Sequence, residues 1–363
     1  MCKKVLFVLG DGVYPYHTGG MEVFNYYLIR ELRRYFDLRY LATKKLDYDD
    51  CKFYSMLSLK PSKIVFPLQV FLHLLRHPAE RTVLVSFSSA HWFIWWMFAI
   101  MNRLLALNSV AVIHYGKSVP NKHKNVYGKF FRSQKYVVAV SEDIKRNYDK
   151  VFGTNCIVLP PIVPFAASRM TKSQCRDKYR IPQDVNVICM VGSIKAMKNP
   201  DTLIDAMSLM SREEKSICNP FALFAGDGIM RAELESRVAS LGLSDRVLFL
   251  GNIPKEDIRD VMMASDIYLI ASDFEGTSVS LLEAMFNKKA IIISRAPGLV
   301  DMCRERIDAL AYETRNSEQL KKCIYDIITK PEDSQRRAKA ANVHYKETYS
   351  YANMLNKYIG ILS

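Results

Sequence analysis

Two carboxylates eight residues apart, Glu275 and Glu283, bracket a segment whose residue types suit the binding of a phosphorylated, hydroxyl-rich molecule. The stretch from Asp273 to Ser294, DFEGTSVSLLEAMFNKKAIIIS, reads as a loop, a helix and a buried strand. Val279, Leu282, Met285 and Phe286 recur at helical spacing, and Ile291–Ile293 is a continuous apolar run of the kind covered on both faces of a sheet. Gly276 allows close approach of backbone to a ligand, and Thr277, Ser278 and Ser280 are suited to the N-cap and first turn. A helix start offers unpaired N–H groups and a partial positive charge, which is a site for phosphate. Carboxylates beside such a site repel phosphate; the usual use of such groups is to accept hydrogen bonds from sugar hydroxyls, the alternative being two solvated glutamates on an amphipathic helix. In the former use one glutamate holds a ribose and the other a hexose, with a diphosphate between them.

The surrounding chain alternates strands and helices, the pattern of parallel α/β sheets. Val5–Leu9, Val83–Phe87, Val110–Ile113, Tyr136–Val140, Val187–Val191, Phe221–Ala225 and Val247–Leu250 are the expected strands, with helices over about Met21–Tyr35 and Ile64–Leu75. His114 follows a strand directly and precedes Tyr115-Gly116, where open sheets place ligands. Lys195, Lys198 and Asn199 follow Gly192-Ser193 after another strand, with Pro200 placed to start a helix. Several motifs fail on inspection. Pro15 and Arg231 occupy third-glycine positions of two dinucleotide-like G-x-G runs. The run AVIHYGKS has Ala111 where a phosphate-binding loop requires its first glycine. His73 and His77 are four apart, but Leu74 stands where a metalloprotease helix carries Glu, so the pair reads as surface or packing.

At 363 residues, with 49% apolar and 24% charged residues, the chain suits a soluble protein of two domains. Eight scattered cysteines without a C-x-x-C pair argue for a reducing compartment and against a zinc site or disulfide framework. The opening MCKKVLFVLGDG has an apolar run too short for a leader and reads as a first strand. Trp92–Met101 is the longest apolar stretch, shorter than a spanning helix requires, and reads as a buried helix; an interfacial role for Trp92, Trp95 and Trp96 is the alternative. A net charge of +14 calls for an anionic partner. Residues 117–135 hold Lys117, Lys122, Lys124, Lys129, Arg132 and Lys135 without an acid, interleaved with Tyr127, Phe130 and Phe131. Such a segment suits an anionic membrane surface, with aromatics at the interface, or else a solvated basic loop and helix. No nucleic-acid-binding module is present, so nucleic acid is not expected as a partner.

The spacing from Glu275 to Glu283, with its loop, helix and strand, resembles the E-x7-E signature of retaining glycosyltransferases of the GT-B fold, family 4, also called glycosyl transferases group 1. The resemblance covers nearly the whole chain, is strongest from about Val187 to Asp301 and is weak before Leu84. It implies an α/β protein of two Rossmann-like domains facing across a cleft. Residues 1–160 would bind acceptor, 161–185 would form the Pro-rich linker, 186–335 would bind the nucleotide-sugar donor, and 336–363 would cross back to the first domain. It implies catalytic roles for Glu275, His114 and Lys198. Donor contacts would come from Glu283 on the ribose, from Gly192, Ser193, Lys195 and Asn252, and from Gly276, Thr277, Val279 and Ser280. Gly19 and Gly20 resemble the family's cleft-facing glycine pair on the acceptor side, and Ser141-Glu142 its strand-end serine. Ser193 stands where the family carries arginine, so a neutral hydroxyl replaces a charged fork, with Lys195 as a substitute or Lys198 and the helix start bearing the diphosphate. The Asn-Gly-Val-Asp type linker sequence is also missing. Asp47-Tyr48-Asp49 matches the D-x-D metal motif of the other glycosyltransferase fold, but lies in a polar stretch of the wrong order and reads as a surface loop. No cofactor or metal is expected.

The expected reaction is retaining, metal-independent transfer from a UDP- or GDP-linked sugar to a glycan or a polyprenyl-diphosphate-linked acceptor, in the cytoplasm or on the inner face of a membrane. Two other classes stay open: a sugar-nucleotide epimerase of the same fold, and a non-catalytic nucleotide-sugar or membrane-binding protein.

Overall fold

The computed structural model describes residues 4–10, 20–42, 45, 51–55, 62–78, 80, 82–87, 92–114 and 123–363. The loop before Gly20, which includes Gly19, and the Asp47-Tyr48-Asp49 stretch lie outside the described residues, as do Lys117 and Lys122. The chain divides into two units, Met1–Val163 with Ser350–Ser363, and Pro164–Tyr349.

The first unit carries strands β1 (Lys4–Gly10), β2 (Asp37–Ala42), β3 (Lys52–Ser55), β4 (Thr82–Phe87), β5 (Asn108–Ile113), β6 (Tyr136–Ala139) and β7 (Ile157–Val158). They pair in parallel in the order β3-β2-β1-β4-β5-β6-β7. The second carries β8 (Asn186–Val191), β9 (Pro220–Ala225), β10 (Val247–Gly251), β11 (Ile267–Ile270), β12 (Ala290–Ser294) and β13 (Leu310–Tyr312), in the order β10-β9-β8-β11-β12-β13. Both are doubly wound α/β sheets, and their strands are apolar runs because both faces are covered. Residues Leu6, Phe7, Val112, Ile188 and Ile292 are fully buried. Winding reverses between β1 and β4 and between β8 and β11, and ligands of such sheets bind beyond the strand C-termini at those points.

Two segments differ from the sequence reading. The expected linker 161–185 contains a helix, Lys172–Tyr179, whose Cys175 joins Ile181 and Val185 in the second unit's core. The expected helical tail from residue 336 is split between units. Helix Pro331–His344 belongs to the second, where the Asn342 Nδ2 donates to the carbonyls of Met285 (3.0 Å) and Phe286 (2.9 Å). That amide satisfies carbonyls left unpaired at the end of helix Val279–Phe286. Helix Tyr351–Leu362 belongs to the first unit, where the buried Tyr358 hydroxyl donates to the Leu159 carbonyl at 3.0 Å and Tyr351 donates to Glu31 at 2.6 Å.

Two further expectations are corrected. Tyr127, Phe130 and Phe131, read as interfacial, lie on the inner side of helix Lys124–Arg132 and are core residues, with Phe130 packed on Trp95 at 4.9 Å between ring centroids. The apolar stretch at Trp92 forms helix Trp92–Leu105, which is only half buried: Trp95, Phe98 and Met101 face the core, while Trp92 and Trp96 are each 40% exposed. The His73 ring serves packing and charge balance, with its Nε2 2.7 Å from the fully buried Glu80 carboxylate. Burial alone would raise Glu80, but hydrogen bonds with His73, Arg39 and Tyr54 hold it at about 2.

Candidate functional site

The residues that could do chemistry converge on the loops following β8 and β11, on either side of the second unit's switch point. After β8 the chain passes Gly192, Ser193 and Ile194, and a single 3-10 turn, Ala196–Lys198, raises the Lys198 side chain. After β11 the loop 271–278 carries Glu275. Lys198 Nζ forms an ion pair with Glu275 Oε1, and the Ser272 hydroxyl donates to the same oxygen at 2.5 Å. The sequence reading assigned Lys198 to a phosphate and Glu275 to a sugar; without either, the two hold each other. A small pocket lined by Gly192, Ser193, Ile194, Lys198, Ala271 and Ser272 opens beside the pair.

The loop is pinned from three directions. Asp273 N–H donates to the Met197 carbonyl at 2.9 Å, joining the two loops directly. Asn199, in the left-handed region at φ 45°, donates through Nδ2 to the Ala271 carbonyl (2.9 Å) and to Asp273 (2.7 Å). Arg315 grips the Asp273 carboxylate with Nε at 3.2 Å and Nη2 at 2.6 Å. The positioning roles of Asn199, Asp273 and Arg315 were not read from sequence. An Asn directly before a proline-started helix was the one local signal available.

Glu275 N–H donates to the Pro297 carbonyl at 3.1 Å, which brings the chain at Gly298 against the loop. Gly298 has φ 84°, and a Cβ there would lie 1.9 Å from the Glu275 carbonyl oxygen. Gly298→Ala is therefore expected to displace the Glu275 loop and cost about 2–4 kcal/mol. Thermal melts would show the lost stability, and an unchanged melting temperature would refute the contact.

Helix Val279–Phe286 begins at the Ser278 cap, whose hydroxyl accepts from Leu281 N–H at 3.2 Å. The N–H groups of Val279 and Ser280 precede any intrahelical partner and are the free donors of this turn. Ser280, expected to contact a ligand, has its hydroxyl engaged within the protein, 2.8 Å from Tyr268 OH and 3.5 Å from the Val191 carbonyl that it donates to. Its side chain is therefore committed within the protein. Gly276 and Thr277 lie in the same loop ahead of the cap.

Glu283, five residues into the helix, is 8% exposed, and its carboxylate has no hydrogen-bond partner among the described residues. Burial raises it to about 7, opposed by the charge of Lys255. A buried carboxylate without donors is a group waiting for them. Ser193, Lys195 and Asn252 are exposed, Asn252 on the loop after β10. Among the described residues, no group of three or more His, Cys, Asp or Glu side chains is arranged to hold a metal.

In the first unit, His114 follows β5 at its C-terminal end. Its ring stands edge-on to Phe24 at 4.6 Å, and Nε2 is shielded from solvent without a partner among the described residues. Burial pushes the imidazole down to about 3, so it is neutral at physiological pH. Gly20 is the first residue of helix Gly20–Leu32.

The whole chain is similar in fold to several solved glycosyltransferases. Against a glycosyltransferase from Rickettsia africae the TM-score is 0.84 at 20% identity, covering 99% of this chain and 98% of the other. Against Anabaena HepE, crystallised in complex with UDP, it is 0.80 at 17% identity, covering 99% of each. In sequence, 234 residues are 22% identical to an uncharacterised glycosyltransferase of Methanocaldococcus jannaschii, covering 62% of this chain and 59% of that one. The chain spans less than two thirds of the length of the curated relatives it matches. Residues 171–344 match the family model described as glycosyl transferases group 1, and every second-unit residue of the site lies within them. The switch-point site with its two glutamates and its lysine thus sits in the segment that matches the model of the glycosyl transferases group 1 family.

Proposed function

We propose that this protein is a retaining glycosyltransferase that moves a sugar from a UDP- or GDP-linked donor to a glycan or polyprenyl-diphosphate-linked acceptor without a metal. The observation that carries the reading is the Lys198–Glu275 pair beside the first turn of helix Val279–Phe286, with the donor-less carboxylate of Glu283 on that same helix. Three chemically different demands are met in one place. Glu283 accepts hydrogen bonds from ribose hydroxyls, which replace the solvation its burial removed. Lys198 and the N–H groups of Val279 and Ser280 take up the negative charge that grows on the departing diphosphate. Glu275, with the backbone of Gly276 and Thr277, accepts from hydroxyls of the transferred sugar and orients it. On the first unit His114, a neutral imidazole, and Gly20 are the candidate contact residues. The crystal complexes of Anabaena HepE with UDP and with UDP-glucose support a uridine donor.

Glu275, held by Lys198 and Ser272, is assigned to the hydroxyls of the transferred sugar, and no covalent glycosyl-enzyme is invoked. The acceptor oxygen attacks from the face the diphosphate leaves, and the departing phosphate oxygen takes the acceptor proton, which keeps the anomeric configuration. With serine at 193 where the family carries arginine, either Lys195, exposed in the same loop, substitutes for it, or the diphosphate leans on Lys198 and the helix start.

A panel of UDP- and GDP-sugars, read by thermal stabilisation and by sugar release, tests the proposal. The cognate donor is expected to raise the melting temperature and to be hydrolysed slowly without acceptor. Conversion of a donor to its epimer would move the reading to an epimerase. Stabilisation without turnover across the panel would leave a nucleotide-sugar-binding protein, and inversion at the anomeric carbon would refute the mechanism.

A further inference from the structure

The first unit carries an uncovered apolar surface that the donor-site reading does not use. On helix Trp92–Leu105 the residues Trp92, Trp96, Ile100 and Leu104 repeat every four positions and are 40%, 40%, 38% and 69% exposed. On helix Ser62–Arg76, Leu68, Leu72 and Leu75 are 44%, 40% and 50% exposed. The two helices are neighbours running in the same direction, because Leu75 and Leu104, each near its helix's C-terminal end, line one surface depression. Counted back from that depression, Leu72 and Leu68 continue the exposed row on one helix, and Ile100, Trp96 and Trp92 continue it on the other. At 1.5 Å per residue the longer stripe extends roughly 18 Å. Scattered exposed leucines need no explanation, but a double stripe including two tryptophans does.

Apart from Glu80, which lines the depression but is fully buried and paired with Arg39 and His73, the charges these helices carry are of one sign. Helices Ser62–Arg76, Trp92–Leu105 and Lys124–Arg132 contain no Asp or Glu. Exposed Arg76 and Arg103 stand at the ends of the two apolar helices, and exposed Lys124, Lys129 and Arg132 lie on the third. That third helix is the direct neighbour of the second, through Trp95 on Phe130 and through Trp92 stacked at 4.8 Å on His123. A protein partner would bring its own mixed charges. A surface that is apolar along its crest, tryptophan-bearing and flanked only by cations matches the interfacial region of an anionic bilayer, where indoles sit at the headgroups and cations meet phosphates.

We propose that this double stripe is a monotopic binding surface for anionic lipid, lying in the plane of the membrane rather than crossing it. No described helix is long and apolar enough to span a bilayer. The role expected from sequence for the aromatics of 117–135 passes to Trp92 and Trp96, while the described cations of that segment stay as the flank. The inference is independent of the reading of the donor site and is tested without any sugar.

The chain's three tryptophans all lie on this helix, Trp95 in the core and the other two on the crest. Vesicles of phosphatidylcholine with phosphatidylglycerol are expected to sediment the full chain roughly tenfold better than phosphatidylcholine alone, with raised salt weakening the effect. Tryptophan emission should shift to the blue on those vesicles, and brominated acyl chains should quench part of it while the Trp95 component persists. Trp96→Glu with Leu104→Glu, both at exposed positions, should reduce sedimentation roughly tenfold or more. The quenching needs no variant, so misfolding of the double variant cannot mask the answer. Unquenched emission from wild-type protein, or equal sedimentation of wild type and double variant, would overturn the proposal. So would a lipid-free dimer that the double variant dissociates and that ignores vesicles, since the stripe would then be an interface between copies.

Discussion

Glu275→Gln is expected to lower the rate of sugar transfer by about 10²–10³ while nucleoside diphosphate binds up to about tenfold more tightly. The two effects have opposite sign because Glu275 plays opposite parts toward two portions of the donor. In the free protein its Oε1 is shared by Lys198 and the Ser272 hydroxyl. An arriving diphosphate must draw Lys198 away from that carboxylate, and it must also settle near a negative charge. Glutamine keeps the shape but removes both the competition and the repulsion, worth about 1–2 kcal/mol at a partly solvated site. The transferred sugar then loses its charged acceptor, which matters most as the anomeric centre becomes positive. Isothermal titration with UDP and GDP measures the first effect, and initial rates with the cognate donor measure the second. A fall in kcat without a rise in donor KM is the expected kinetic form. Wild-type transfer by the glutamine variant would refute the assignment, and so would weaker diphosphate binding.

Donor affinity should fall as pH drops below about 7, by roughly twentyfold between about pH 7.5 and about pH 5.5. The cause is Glu283, which burial raises to about 7 in the free protein. Ribose hydroxyls donate to the ionised form, so the bound state lowers the same group and binding releases a proton below pH 7. Above pH 7 the carboxylate is already ionised and affinity is flat. Stability runs the other way. Relative to an unfolded carboxyl near 4.5, the buried group favours folding in its protonated form; its contribution is fully present below about 4.5 and is lost as pH rises to about 7. The cost at higher pH is on the order of 3 kcal/mol, a case of stability given up for a binding group. Glu283→Gln should therefore bind nucleotide weakly but independently of pH, and its melting temperature should lose the wild-type rise between about pH 8 and about pH 5. Titrations at a series of pH values in two buffers of different ionisation heat count the released proton. A wild-type affinity that is constant from about pH 5.5 to about pH 7.5 would show that Glu283 does not meet the ribose.

Strands such as β1, β4, β5, β8, β9 and β12 were legible because parallel strands covered on both faces must be apolar throughout, and runs such as Ile291–Ile293 have no other easy use. By contrast, β2, β3, β7, β11 and β13 were not read from the sequence. The glutamate pair was legible for a related reason: Glu275 and Glu283 are separated by one loop and one helical turn, so their proximity is a local matter. Helix Lys124–Arg132 shows where local reading stops. Tyr127, Phe130 and Phe131 define a helix face whatever surrounds it, but whether that face meets lipid or protein depends on Trp95, Tyr148 and Phe152, which arrive from other elements. The helix at Trp92 reverses the error, since a stretch apolar on all sides conceals which side is left uncovered.

From residue types and spacing alone follow the alternation of strands and helices, the helix start at Ser278, and the pair of carboxylates on either side of it. The meeting of Lys198 with Glu275, 77 positions apart, follows only from β8 lying beside β11, a pairing that depends on the order of the whole sheet. The same order brings Arg315 to Asp273 and Gly298 against the Glu275 carbonyl. Burial is likewise a property of the assembled unit: Glu283 and His114 owe their altered acidity to side chains and backbone packed around them, and no window of sequence contains that surrounding.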